Sequence, residues 1–174
     1  MNDKKVIEKL FLKMCTSSQN KEETKYSPMV RQFGCIDNAT VDEVVGDHVI
    51  VDGKIDGGAS VRIVSDGDIC INGRIDGKSR VILRAGGSIE ITGKIDGQSR
   101  VAMFAKGEVN VRGKIDGQSR ARMHGTKISI REVNGQSVLR YYSSTGPSIP
   151  DGVNGQSSVS IDQDEEDDNG LKGL

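Results

Sequence analysis

The chain reads as an all-β protein, a single-stranded parallel β-helix (a solenoid) of about 20 residues per coil. Three observations predict it. A tetrapeptide returns on a fixed beat, apolar residues alternate with period two between the beats, and glycines fall at matched points of each repeat. The tetrapeptide is CIDN at 35–38, KIDG at 54–57, RIDG at 74–77, KIDG at 94–97 and 114–117, EVNG at 132–135 and GVNG at 152–155. From Ile36 through Ile55, Ile75, Ile95, Ile115 and Val133 to Val153 the steps are 19, 20, 20, 20, 18 and 20 residues.

Within each repeat lie two short segments, such as VRI then ICI or VIL then IEI, whose alternate residues face inward. On the beat they form columns. One holds Val41, Val61, Val81, Val101 and Ala121, and the next holds Ile63, Leu83, Met103 and Met123. A third holds Val49, Ile69, Ile89, Val109 and Ile128, and a fourth Val51, Ile71, Ile91, Val111 and Ile130. The Ile of the tetrapeptide makes the last. A meander of hairpins would also alternate, but a fixed step stacks like residues one coil apart, about 4.8 Å. β-branched Ile and Val suit such ladders. The rod is expected over 34–140, with two main faces and a shorter third face at the KID segment.

The outward columns are as ordered. Gly53, Gly73, Gly93 and Gly113 mark one corner. Gly57, Gly77, Gly97, Gly117 and Gly135 mark the next, where positive φ is expected. Asp56, Asp76, Asp96 and Asp116 precede that corner, where a carboxylate accepts nearby backbone N–H bonds, and Asn134 and Asn154 take the same place without charge. Ser79, Ser99, Ser119 and Ser137 follow the turn and are expected to bond along their own ladder. Lys54, Arg74, Lys94 and Lys114 form one basic stripe, and Arg80, Arg100 and Arg120 a second.

Outside the rod the pattern changes. Residues 1–33 form an N-terminal region. Val6, Ile7, Leu10, Phe11 and Met14 predict a short amphipathic helix over 3–15, capped by Asn2 or Asp3, with a polar linker over 16–30. The helix either docks on one end of the rod or, through Lys4, Lys5, Lys9 and Lys13, makes a peripheral membrane or partner contact. Residues 141–161 are irregular, with room for one final partial coil, and 162–174 read as an acidic, disordered tail.

Composition bounds the function. The 174 residues allow one domain plus tails, and the formal net charge of -1 argues against nucleic acid as a partner. Cys15, Cys35 and Cys70 form no CxxC pair and leave one over, which fits a reducing, cytoplasmic setting and no structural zinc.

Several candidate sites compete. Four Asp carboxylates one coil apart would suit Ca²⁺ or paired acid and base work. A catalytic group should interrupt the repeat, however, whereas these obey it, so the turn role is expected. His48 and His124 are 76 residues apart, and the step is not divisible into the six-residue units of left-handed acyltransferase helices. No phosphate loop, nucleophile elbow or HExxH stands in the chain. The stripe of Arg80, Arg100 and Arg120, joined by Arg84, Arg122 and Arg140, is a polyanion or partner face or a solvated face that resists lateral aggregation. The acidic run at 162–168 is a candidate to fold back on it or on that of a neighbour. Open strand edges at the rod's ends invite pairing. Candidate contacts are Ile36, Val41 and Val49 at one end and Val133, Leu139 and Tyr141 at the other. Phe104, outward by alternation, is a candidate lateral contact with Tyr141 and Tyr142 nearby.

The glycine-punctuated coils, in particular GDICINGRIDGKSRVILRAGGSIEITGKIDG at 67–97, resemble the bactofilin, or polymer-forming cytoskeletal, family across about 34–135. The resemblance implies a right-handed parallel β-helix between disordered tails. It also implies end-to-end assembly into nonpolar filaments without a nucleotide, with membrane contact through the N-terminal tail in some members. It carries over no catalytic residue. The reading is a non-enzymatic structural protein that self-associates, without a cofactor. The alternative is a binding module presenting one face to a protein or polysaccharide partner. The expected setting is cytoplasmic, with peripheral membrane association through residues 3–15 as one of the two readings of that helix.

Overall fold

The computed structural model describes residues 29–162, and every regular element among them is a strand. The expected helix over 3–15 and nearly all of the linker lie outside the described residues, as does the acidic tail beyond Asp162. The first coil comprises β1 (Val30–Phe33), β2 (Ile36–Asp37) and β3 (Thr40–Gly46), and the second β4 (His48–Val51), β5 (Ile55–Asp56) and β6 (Ser60–Ser65). The third holds β7 (Ile69–Ile71) and β8 (Arg80–Ala85), and the fourth β9 (Ile89–Ile91) and β10 (Arg100–Ala105). Then come β11 (Glu108–Ile115) and β12 (Arg120–His124), β13 (Lys127–Val133) and β14 (Val138–Tyr142), and last β15 (Pro147–Ser148) and β16 (Ser158–Ile161).

All strand pairs are parallel, which excludes a hairpin meander. One seven-stranded sheet runs β1-β4-β7-β9-β11-β13-β15 and the other runs β3-β6-β8-β10-β12-β14-β16. The third face is the β2–β5 ribbon, continued by single bridges Ile55–Ile75, Ile75–Ile95 and Ile95–Ile115 and closed by Val133–Val153. Six inter-strand steps give a stack about 29 Å tall.

The predicted columns are the observed registers. Val61, Val81, Val101 and Ala121 pair in sequence, as do Ile69, Ile89, Val109 and Ile128. Both sets, with Ile55, Ile75, Ile95 and Ile115, lie in one continuous apolar core between the sheets. Each Ile or Val covers its copy one coil away, so burial and side-chain fit repeat together.

The coils extend further than 34–140 on both sides. Val30–Phe33 already pair with His48–Val51, and Ser158–Ile161 close the far end on β14. The 18-residue step is absorbed at the corners. Phe104 pairs with His124 and Glu108 with Lys127, so Ala105, Lys106 and Gly107 in one coil face only Gly125 and Thr126 in the next. Between Val111 and Lys114 the register shifts against Ile130 and Glu132, removing the counterpart of the Gly113 corner. Pairing resumes after each loss, the first falling between strands and the second at the shift inside β11 and β13.

The candidate end contacts need correction. Val49, Val133 and Leu139 are fully buried and Ile36 nearly so, while Val41 and Tyr141 are partly buried against the core. Further coils cover Val49, Val133, Leu139 and Tyr141, whereas Ile36 and Val41 do stand in the first coil but turn their side chains toward the core. Phe104 is also buried rather than exposed, although its strand position faces outward as expected, because Arg84, Arg122 and His124 crowd its ring.

Candidate functional site

The KIDG turn shows what each of its residues does. Gly57, Gly77, Gly97 and Gly117 have φ between 70° and 73°, the left-handed region. The preceding carboxylate accepts the glycine N–H through Oδ1, at 2.6 Å for Asp56 and 2.7 Å for Asp76, Asp96 and Asp116. Its second oxygen faces the basic residue two positions back. Lys54 reaches Asp56 at 2.8 Å, Arg74 reaches Asp76 at 3.4 Å, and Lys94 pairs with Asp96. Hydrogen bonds from Lys54 and Gly57 hold the Asp56 carboxyl below the usual range. Burial alone would raise that of Asp96, but the Lys94 and Gly97 bonds outweigh it and hold it low as well. Lys114 turns instead to Glu132 of the next coil at 3.2 Å. Asn134 Oδ1 accepts from Gly135 at 2.7 Å, so the cap works without charge.

These carboxylates are occupied as turn caps and ion pairs, and among the described residues no three His, Cys, Asp or Glu side chains converge as a metal site requires. The serines behave differently from expectation. Ser79 and Ser99 donate to the Asp76 and Asp96 carbonyls of their own turns, at 2.7 and 2.6 Å, rather than along the ladder. Ala59 fills the same column, so small size is what the position demands.

The second basic stripe contrasts with the first. Arg80, Arg100 and Arg120 pair in register at the start of β8, β10 and β12 and are exposed. Among the described residues no carboxylate lies within ion-pair reach of them. Like charges one coil apart repel by about 1 kcal/mol even at the dielectric of water. Two positions upstream runs a glutamine ladder. Gln98 donates to Gln118 at 3.3 Å, Gln118 to Gln136 at 3.2 Å and Gln136 to Gln156 at 3.1 Å. Between the ladders Ser79, Ser99 and Ser119 turn inward, leaving a groove of about 480 Å³ that ends at Lys78 and Val138. The glutamine ladder escaped notice in the sequence, although its members fall on the same beat as the serines.

A third cluster closes the C-terminal end. Asp162 is buried, and its backbone N–H donates to the Tyr141 carbonyl at 2.6 Å. Its carboxylate pairs with Arg122, itself buried, and meets His124 Nε2 at 2.6 Å. Burial works against ionisation of Asp162, but the bonds from His124 and Arg122 prevail and its pKa is lowered. Phe104, His124 and Tyr142 stack beside it, with ring centroids 4.9 and 5.6 Å apart. Asp162, placed by the sequence at the start of a disordered tail, thus belongs to the fold. The signal was present, since Phe104, His124, Tyr142 and Asp162 lie 20, 18 and 20 residues apart, the beat itself. His48 sits in the other sheet, where its Nδ1 accepts the Asp68 N–H at 3.2 Å, so the two histidines are not brought together.

Exposed large apolar side chains among the described residues concentrate toward the ends. Met29 and Val45 are 45% and 50% exposed at the first coil, and Tyr142, Val153 and Ile161 are 63%, 45% and 65% exposed at the last two. Compared with family models, curated proteins and solved structures, the chain matches none.

Proposed function

We propose that the protein is a non-enzymatic structural protein whose copies join end to end through the terminal coils. The observation that carries this reading is the placement of exposed apolar side chains: Met29 and Val45 at one end, and Tyr142, Val153 and Ile161 at the other. Among the described residues none of the large apolar side chains of the middle coils is exposed. The outer edges of β3 and β16 also carry backbone groups that a neighbouring copy could pair. The resemblance to bactofilins points the same way and adds that like ends meet. The cysteine pattern of the sequence, three thiols with no CxxC pair, supports a cytoplasmic setting, with residues 3–15 as the proposed membrane or partner contact.

Negative-stain electron microscopy with light scattering on the full chain, from low to high concentration, tests this reading. Thin filaments that lengthen with concentration are expected, while discrete monomers, dimers or trimers across the range sink it. Substitution at one end separates the modes of contact. With like ends meeting, Ile161→Asp stops growth at dimers joined through the Val45 end. With unlike ends meeting, it leaves monomers.

A further inference from the structure

We propose that the groove between the arginine and glutamine ladders binds a linear acidic polysaccharide lying along the rod, its uronate carboxylates paired with the arginines. The inference does not depend on end-to-end assembly, since the groove runs along the side of the coils.

The first argument is the contrast between the two basic stripes. Lys54, Arg74, Lys94 and Lys114 each face a carboxylate within 4 Å, so the KID stripe is neutralised within the molecule. Arg80, Arg100 and Arg120 face none among the described residues, yet the register holds them one coil apart despite their repulsion. A ligand that brings one negative charge per coil relieves that repulsion. Guanidinium suits a carboxylate because its N–H groups match both oxygens. The molecule as a whole carries a net charge of -1, so any capture of a polyanion has to come from a local site rather than bulk attraction.

The second argument is the opposite wall. In the ladder from Gln98 to Gln156 each linking Nε2 uses one N–H on the next Oε1. A second N–H on each amide and a lone pair on each accepting oxygen remain for sugar hydroxyls. None of the residues lining the groove is aromatic, so it offers no platform on which nucleic-acid bases could stack.

The third argument is pitch and rigidity. Coils repeat at about 4.8 Å. An extended polyuronate carries a carboxylate on every ring, so a chain laid along the rod offers charge along the whole arginine ladder. Backbone bonds hold the walls coil to coil, Gln98 and Gln118 to the glycine carbonyls below at 2.7 Å and Arg100 and Arg120 to serine carbonyls at 2.8 and 2.9 Å. The ligand therefore meets a preformed surface, with little ordering cost on the protein side.

The test is fluorescence anisotropy of a labelled polygalacturonate oligomer with the full chain, beside neutral dextran, polyphosphate and a uridine homopolymer. Binding to polygalacturonate ahead of the other three, weakened by salt, is expected. The triple variant Arg80→Gln, Arg100→Gln, Arg120→Gln should weaken it by about tenfold or more. The triple variant Lys54→Gln, Arg74→Gln, Lys94→Gln removes equal charge from the other stripe and should weaken it by less than about threefold. Should the arginine triple fail to fold, Arg100→Gln alone should weaken binding by about threefold or more. No binding, equal loss in both triple variants, no loss in Arg100→Gln, or preference for polyphosphate or the uridine homopolymer overturns the proposal.

Discussion

Two constraints meet at Gly97. Its φ of 71° suits a residue without a side chain, and a Cβ there would stand 2.6 Å from the Gly77 carbonyl oxygen. That oxygen is backbone held by the next coil, so it cannot swing away. Gly97→Ala should therefore lower stability by about 1–3 kcal/mol, read by chemical denaturation. An unchanged midpoint would show that the turn can rearrange. Asp162 sets a pH dependence. Its carboxyl is held below the usual range, so the unfolded chain takes the proton first. Its stabilisation is complete above the unfolded carboxylate pKa of about 4 and is lost as pH falls through the lower folded value. Asp162→Asn should cost about 1–3 kcal/mol at pH 7, and the gap from the wild type should close below about pH 4. Thermal melts of both proteins across that range check the sign, and a gap that widened in acid would contradict it.

A coil, at the next scale, is an interchangeable unit only if its length preserves the register. The coil leading to Val133 shows how strict this is, since it drops one residue between β12 and β13 and one at the register shift inside β13, and pairing resumes after each. Excision of Gly77–Asp96 removes one 20-residue repeat, joins Asp76 to Gly97 and returns each column to its own kind. That variant should still melt cooperatively, as a shorter stack of like units. Removing only 77–86 sets the columns of one sheet against those of the other and should abolish the cooperative transition seen by calorimetry and circular dichroism. Edge strands follow a different logic. β15 is two residues long and begins at Pro147, which has no N–H to offer, and β3 shifts register between Val41 and Val44. Both features limit indiscriminate pairing, so growth through the ends depends on side-chain fit as well as on open backbone.

Across the whole molecule, apolar exposure and uncompensated charge occupy separate places. The apolar groups sit at the two ends and the arginine ladder runs along one side, so assembly and ligand binding can be altered independently. An Ile161→Asp protein that no longer grows should keep its affinity for the acidic oligomer. Ile161 stands at the last coil, beyond the three coils that carry Arg80, Arg100 and Arg120. The sequence alone determined the parallel β-helix, the identity of the core columns and the positive-φ turns. It could do so because a strict repeat turns one dimensional spacing into spatial register, and each coil meets the same neighbours as the last. It offered the final partial coil that Ser158–Ile161 complete, but it could not mark Val30–Phe33, because weak apolar alternation becomes a strand only when a neighbouring coil supplies its partner. Nor could it show that one basic stripe is neutralised while the other faces no carboxylate among the described residues. Both stripes read alike as letters, and only the folded chain sets Asp56, Asp76 and Asp96 beside the first and leaves glutamine beside the second. Phe104 and Asp162 teach the same lesson, since alternation predicts the direction of a side chain but only tertiary packing decides what covers it.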